Sequence, residues 1–466
     1  MSPSGAPQQQ EEVRGFWDRP PGPYRVFGYL GRTYRVGPAA EQLIGRSRAW
    51  VLGPALAAMA AIGVPQYAFG LLVPGLLDRG WTMGQAFGLL ALWTVFQAGA
   101  GFPAAYLRER GRIGPRAAML TGAVLVPLGP LALAFDSGLA GVLGYSVLSG
   151  TGAGLVYATC SSTVAKWFPE RSAAATSLAT GAFACGCVPF VIAFAVGSGT
   201  GALSPVLITT AVVLAAVIAT SALLFRDPPP NWWPPHLDPR EWALDRRLNP
   251  RRAARQYSSR EALRTGALPL MYVIVFLASA VSLLDVAFLA VMAAERGLGL
   301  TAAAIGTCLL VGVNGVGRSL AIRVSAEAGR VRTIRAVVAI LGAGQLVLAG
   351  AVASGSVALL LLAAVVAGAG GGAFYPLFAS LAREYFGERS HLETNAVIYS
   401  AKALGGVAGV GAVALVATSW GYTTIFLLAG ALALGAALLC RRLRRPGLLS
   451  TIPVTRSPLP GVLTGD

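Results

Sequence analysis

Long apolar runs, separated by short clusters of charge, glycine and proline, dominate the chain from residue 49 to residue 440. A helix that crosses a bilayer needs about 17–25 apolar residues. Twelve runs meet that length: about 49–77, 81–107, 116–135, 139–165, 172–197, 203–225, 267–294, 301–324, 333–353, 357–382, 394–418 and 421–440. They are continuously apolar, too long for strands, and free of the alternation that marks a membrane barrel, so helices are predicted. The first 48 residues are polar and carry Pro20, Pro21 and Pro23, and the first apolar run is already a full span, so no cleavable signal peptide is expected.

Composition agrees with this pattern. The chain of 466 residues is 55% hydrophobic and 12% charged, with a mean hydropathy of +0.64; a water-facing surface cannot be built from so few charges. The net charge of +17 would otherwise suggest an anionic polymer. Its placement points elsewhere. If the amino terminus is cytoplasmic, 33 of the 37 Lys and Arg fall in the tails and inner loops, and only Arg79 and Arg296 fall in outer loops. That bias is the positive-inside signal, and it predicts both termini in the cytoplasm and no nucleic-acid partner. The five cysteines all lie in predicted spans, and Cys185 and Cys187, two apart on a helix, point to different faces, so neither metal nor disulfide is expected. Only His236 and His391 are available as histidines, and no hydrolase triad, nucleotide loop or metal cluster is visible. The reading is therefore not an enzyme, and no cofactor is expected.

The chain repeats itself. Residues 154–172 and 372–390, offset by 218, share seven of nineteen positions, among them Gly154/Gly372, Tyr157/Tyr375, Phe168/Phe386 and Arg171/Arg389. Each copy is the fourth span of a six-span half and the loop after it. The predicted organisation is a cytoplasmic tail over 1–48, six helices over 49–225, a cytoplasmic linker over 226–266, six helices over 267–440 and a tail over 441–466. The linker is charged and proline-rich (Pro228, Pro229, Pro230, Pro234, Pro235), so a semi-extended, solvated segment is expected. Glycine pairs at small-xxx-small spacing, such as Gly150 with Gly154 and Gly405 with Gly409, predict closely packed helices. An all-α membrane protein of twelve helices in two pseudo-symmetric halves resembles the major facilitator fold, whose site lies near the midplane between the halves.

Three charges fall inside spans: Asp285 in the seventh, Arg318 in the eighth and Lys402 in the eleventh. A charge at mid-membrane costs at least about 2.5–3.5 kcal/mol, so it is rarely idle. Lys402 is placed ~13 Å deep from a 1.5 Å rise per residue, and Arg318 nearer the inner interface, within reach of snorkelling. Two cations facing one cavity suit an anion with paired oxygens, Arg as a planar fork and Lys as a point charge. The competing reading pairs one or both cations with Asp285 or with backbone carbonyls. Gln66, Tyr67, Gln97, Tyr145, Tyr157, Tyr375 and Tyr399 are candidates for the cavity wall. Gln66, Tyr67 and Tyr375 stand out because they flank Pro65 and Pro376, where helices bend.

Four stretches are specific enough to name a resemblance: Gln66-Tyr67; the glycine-rich fourth span through Lys166-Trp-Phe-Pro-Glu-Arg171; Asn314-Gly-Val-Gly-Arg318; and Tyr385-Phe-Gly through Thr394-Asn395 to Tyr399-Ser-Ala-Lys402. Over about 49–440 the chain resembles the oxalate/formate antiporter family of the major facilitator superfamily. The resemblance implies that Arg318 and Lys402 bind substrate carboxylates and that Gln66 and Tyr67 line the same cavity. Two departures concern the inner-loop gating motif, where an acidic residue normally stands one turn before Gly-x-Arg. Gly111 stands there in the copy containing Arg112 and Arg116, and Ala326 in the copy containing Arg330. Glu109 and Glu327 lie close by and are the candidates to serve instead.

The expected function is alternating-access transport of a small carboxylate, oxalate, formate or a related mono- or dicarboxylate, across the cytoplasmic membrane. The expected partners are the organic anion, a counter-anion or proton, and the lipid bilayer. Exchange is one mode and proton symport the other, with Asp285 as candidate proton carrier. Export of an amphiphilic drug-like compound and a non-transporting polytopic sensor are the alternatives.

Overall fold

The computed structural model describes residues 25–29, 32–135, 138–245, 253–388 and 390–447. Arg389, used above in the repeat, lies outside the described residues, as do most of both tails and residues 246–252. Among the described residues, twelve helices are long and apolar enough to cross a membrane. In chain order, spans 1–6 are Arg48–Tyr67, Met83–Glu109, Pro115–Ala134, Gly138–Trp167, Pro169–Thr200 and Leu203–Leu224. Spans 7–12 are Ala267–Glu295, Leu300–Ala328, Arg330–Ser354, Val357–Phe386, His391–Trp420 and Tyr422–Arg442. These match the expected runs to within a few residues, apart from the first. There the helix ends at Tyr67, and Phe69–Leu71 forms a single tight turn before a short helix, Val73–Leu77, that opens with Pro74. Large apolar side chains such as Val124, Leu223 and Leu415 are exposed on the bundle surface, which suits lipid rather than water.

The two sets of six spans meet through span 5 on span 8, span 2 on span 11, and span 1 with its following turn on span 7. Glycines permit this approach. A Cβ on Gly406 of span 11 would run into the Thr94 side chain of span 2. At the end far from the linker, Phe87 of span 2 stacks on Phe288 of span 7, with ring centroids 4.1 Å apart. At the linker end, Arg383 of span 10 donates to the Ser172 hydroxyl of span 5. Both ends of the interface are thus in contact, and the layer between them is closed off.

The linker departs from the expected solvated chain. Trp232 and Trp233 are 3% and 0% exposed. They form β3 (Trp232–Trp233), which pairs in parallel with β2 (Arg32–Val36), itself antiparallel to β1 (Arg25–Tyr29). Indole donors tie the linker to the bundle. Trp167 Nε1 donates to the Arg226 carbonyl at 2.8 Å, and Trp242 Nε1 to the Glu170 carbonyl at 3.2 Å. Asp227 accepts from Arg108 at 2.9 Å, Lys166 at 2.6 Å and Thr163 at 2.5 Å. Burial alone would raise the Asp227 carboxyl, but the Arg108 and Lys166 charges outweigh it and bring it to about 2. The second part of the linker grips the other half: Tyr257 N–H donates to the Phe386 carbonyl at 2.9 Å, and Glu388 N–H to Gln256 Oε1 at 2.8 Å. Proline made the segment look extended, but tryptophan burial decides its state.

Candidate substrate site

Arg318 lies ten residues from the linker-side end of span 8, and Lys402 eleven from that of span 11. Both are therefore about 15 Å deep at 1.5 Å per residue. Arg318 does not snorkel: it is 1% exposed, as is Lys402. The expected difference in depth disappears because span 8 continues as helix to Ala328.

Each cation reaches across to the first six spans. Arg318 Nη1 donates to the Thr180 carbonyl of span 5 at 2.8 Å, and Nη2 to the Tyr67 hydroxyl of span 1 at 2.7 Å. Asn314, one turn earlier on the same helix, accepts from Nη2 at 3.2 Å and from the Tyr67 hydroxyl at 3.5 Å. Lys402 Nζ donates to Gln66 Oε1 of span 1 at 2.5 Å and to Gln97 Oε1 of span 2 at 2.7 Å. The Tyr399 hydroxyl, on its own helix, is 3.3 Å from Nζ. Among the described residues, no carboxylate pairs with either cation.

Aromatic rings enclose the pair. Tyr157 stacks on Tyr399 at 4.9 Å, and Tyr375 packs against Tyr399 at 5.6 Å while donating to Ser279 Oγ at 3.0 Å. Phe183 of span 5 lies between the charges: Arg318 is 5.8 Å and Lys402 5.2 Å from its ring centroid. The edges of Tyr67 and Tyr157 meet the same ring at 5.4 and 5.3 Å. Cations over ring faces gain attraction that grows when water is excluded. Eight of the nine residues expected at the site (Gln66, Tyr67, Gln97, Tyr157, Arg318, Tyr375, Tyr399 and Lys402) come together here. Tyr145 does not; its hydroxyl donates to the Pro65 carbonyl. The sequence reading missed Thr180, Phe183 and Trp93, the last 5.8 Å from Lys402. A search for intramembrane polar groups passes over an apolar ring and a backbone carbonyl. The one signal for Phe183 was a large aromatic flanked by Ala182 and Ala184.

The gating candidates separate. Glu109, at the linker-side end of span 2, reaches the Leu392 backbone N–H and the Glu393 side chain at the start of span 11. It crosses between the halves. Arg116 donates to the Leu223 carbonyl within its own half. Arg330 bonds the Ile322 carbonyl at 3.0 Å, Ser325 and Glu384, again within one half. Arg112 and Glu327 are exposed. Asp285 stands apart from both cations, and its partner is Gln345 of span 9.

A sequence model of the Major Facilitator Superfamily matches residues 49–326 and 315–463. The chain belongs to the Major Facilitator Superfamily. It is a multi-pass membrane protein and a secondary transporter, not an enzyme. One superfamily relative is the oxalate:formate antiporter of Oxalobacter formigenes, 24% identical over 371 residues, which are 79% of this chain and 85% of that protein. Among solved structures, a POT family transporter in complex with a thioalcohol-conjugated peptide superposes with a TM-score of 0.63 at 16% identity, covering 87% of this chain and 97% of that one. A D-xylose-proton symporter gives 0.62 at 16% identity, over 85% and 98%. At that identity the likeness is one of fold.

Proposed function

We propose that this transporter carries a small carboxylate, with Arg318 and Lys402 as the groups that bind it. One observation carries the reading: two buried cations meet in one aromatic-walled layer between the halves and, among the described residues, have only neutral oxygen acceptors. A carboxylate supplies what those acceptors lack, a negative charge on two oxygens that a guanidinium can hold as a fork. Tyr67, Gln66 and Gln97 are placed to exchange their bonds to the cations for bonds to the anion. The 24% identical relative is named for oxalate and formate, which supports the same class.

In this reading the halves rock about the layer. Span 1 with span 7 and span 2 with span 11 separate at one end, and Arg383 with Ser172 and Glu109 with span 11 separate at the other. The basic linker face lies in the cytoplasm of a cell whose cytoplasmic membrane holds the protein, because Lys and Arg crowd that side.

Purified protein in liposomes, assayed for counterflow of labelled oxalate, formate, lactate and pyruvate, tests the assignment. At least one carboxylate should exchange, and Arg318→Ala and Lys402→Ala should each abolish it. If no carboxylate moves, or both variants transport normally, the assignment is wrong.

A further inference from the structure

Asp285 is a second intramembrane charge problem, and it lies outside the cation layer. It sits ten residues from the Glu295 end of span 7, which is about 15 Å of helix. Its side chain is 1% exposed. Gln345 Nε2 lies 2.8 Å from both Oδ1 and Oδ2. Spans 1, 8, 9, 10, 11 and 12 pack on span 7, and Lys402 of span 11 points away to Gln66 and Gln97. Among the described residues they bring one polar group into electrostatic reach of this carboxyl, Gln345. The neighbours along span 7 are neutral: Ser282, one turn back, donates to the Gly371 carbonyl at 2.8 Å, and Phe288, one turn on, packs against Phe87 and Tyr422.

Gln345 is 0% exposed, and among the described residues its Oε1 has no hydrogen-bond partner. Two defects therefore coincide: a carboxyl with no cation, and an amide oxygen with no donor. Each is costly in an apolar interior. A single proton removes both. A tilt of the Gln345 amide within its own plane, rather than a flip, keeps Nε2 against one carboxyl oxygen and brings Oε1 against the other. With a proton on the carboxyl, the acid O–H donates to Oε1 and Nε2–H donates to the remaining oxygen. Every buried polar atom of the pair is then satisfied, with no net charge.

We propose that Asp285 and Gln345 form a buried proton-binding site, a neutral acid–amide pair that keeps its proton through the transport cycle and joins span 7 to span 9. The pair faces the interior of the second six spans, whereas Arg318 and Lys402 reach toward spans 1, 2 and 5. Its proton is part of the packing and is not cargo. This assignment is independent of the carboxylate reading, and it removes Asp285 from the candidates for proton coupling.

Infrared spectroscopy of the full chain in lipid, titrated from about pH 5 to about pH 7, reads the acid directly, since an ordinary aspartate ionises near pH 4. The expected result is a protonated-carboxyl band that is constant across the range, absent in Asp285→Asn, and shifted in Gln345→Leu because the acid has lost its amide partner. Asp285→Asn should transport at a rate within about twofold of the parent and with the same pH profile, because an asparagine amide can make both bonds to Gln345. A band that fades as pH rises, or that survives in Asp285→Asn, overturns the proposal. So does an Asp285→Asn protein that transports but has lost the parent's dependence on a proton gradient. If a variant fails to assemble, the parent's titration still decides: the absence of a pH-constant acid band overturns the proposal.

Discussion

Gly181 of span 5 and Gly315 of span 8 lie back to back across the two halves, each filling the space where the other's side chain would start. A Cβ on Gly181 would stand 2.7 Å from the Gly315 carbonyl oxygen, and one on Gly315 would stand 2.6 Å from that of Gly181. Thr180, whose carbonyl holds Arg318, is the next residue, so this contact sets the reach of that bond. A methyl group here must push the halves apart. Overpacking costs about 1–3 kcal/mol, and the penalty falls on the closed arrangement alone, so closure loses roughly tenfold or more in population. Gly315→Ala is expected to reach the membrane in normal amount but to transport at least about tenfold more slowly. Rates in proteoliposomes, normalised to inserted protein, check this.

Lys402 is held by two amide oxygens, Gln66 Oε1 at 2.5 Å and Gln97 Oε1 at 2.7 Å. Gln66→Glu replaces a neutral acceptor with a permanent carboxylate in the same place. If Lys402 serves an anion, that internal carboxylate competes with substrate, and transport should fall by about 10- to 150-fold, since hydrogen bonds to charged groups are worth about 1.5–3 kcal/mol. Gln66→Leu, which removes the acceptor without adding charge, should have the milder effect. Carboxylate uptake by the two variants in parallel gives the ordering, and the reverse ordering would count against an anion at Lys402.

The spans were legible because an apolar run of bilayer length has few other uses, and the cations were legible because charge inside such a run is expensive. Polar and aromatic groups inside spans were also legible as candidates, and Gln66, Tyr67, Tyr157, Tyr375 and Tyr399 all reach the cation layer. What stayed hidden was carried by atoms with no signature. Thr180 contributes a backbone carbonyl, which any residue has, and Phe183 contributes a ring indistinguishable in sequence from those facing lipid. The linker misled because its prolines suggested extension. Trp232, Trp233 and Trp242 carried the opposing information, visible once aromatic content is weighed against proline content.

Asp227 binds the start of the linker to spans 2 and 4. Its carboxyl lies at about 2 rather than an ordinary 3.8: burial works against ionisation, and Arg108 and Lys166 more than offset it. The folded value is below the unfolded one, so the stabilisation is full above about pH 4 and is lost as pH falls through about 2. It amounts to roughly 2 kcal/mol at neutral pH. Asp227→Asn should lower the thermal midpoint of the detergent-solubilised protein at pH 7, and the gap to the parent should close on acidification toward pH 2. A gap that does not depend on pH would mean the side chain acts through packing alone.

Phe183 separates the two charges, and its position is fixed by close packing: a Cβ on Gly63 of span 1 would collide with the Phe183 carbonyl oxygen. The ring therefore sets how near two anionic ends must lie to touch both Arg318 and Lys402. Cation–π contact at desolvated sites is worth about 2 kcal/mol, so removing the ring weakens the hold on both cations. It also opens room between them. Phe183→Ala is expected to transport the parent's best dicarboxylate about tenfold less efficiently while gaining relative preference for dicarboxylates longer by one or two methylenes. Competition of labelled substrate with a chain-length series checks the shift. An unchanged order of preference, with only the overall rate reduced, would show that the ring supports the charges without measuring the distance between them.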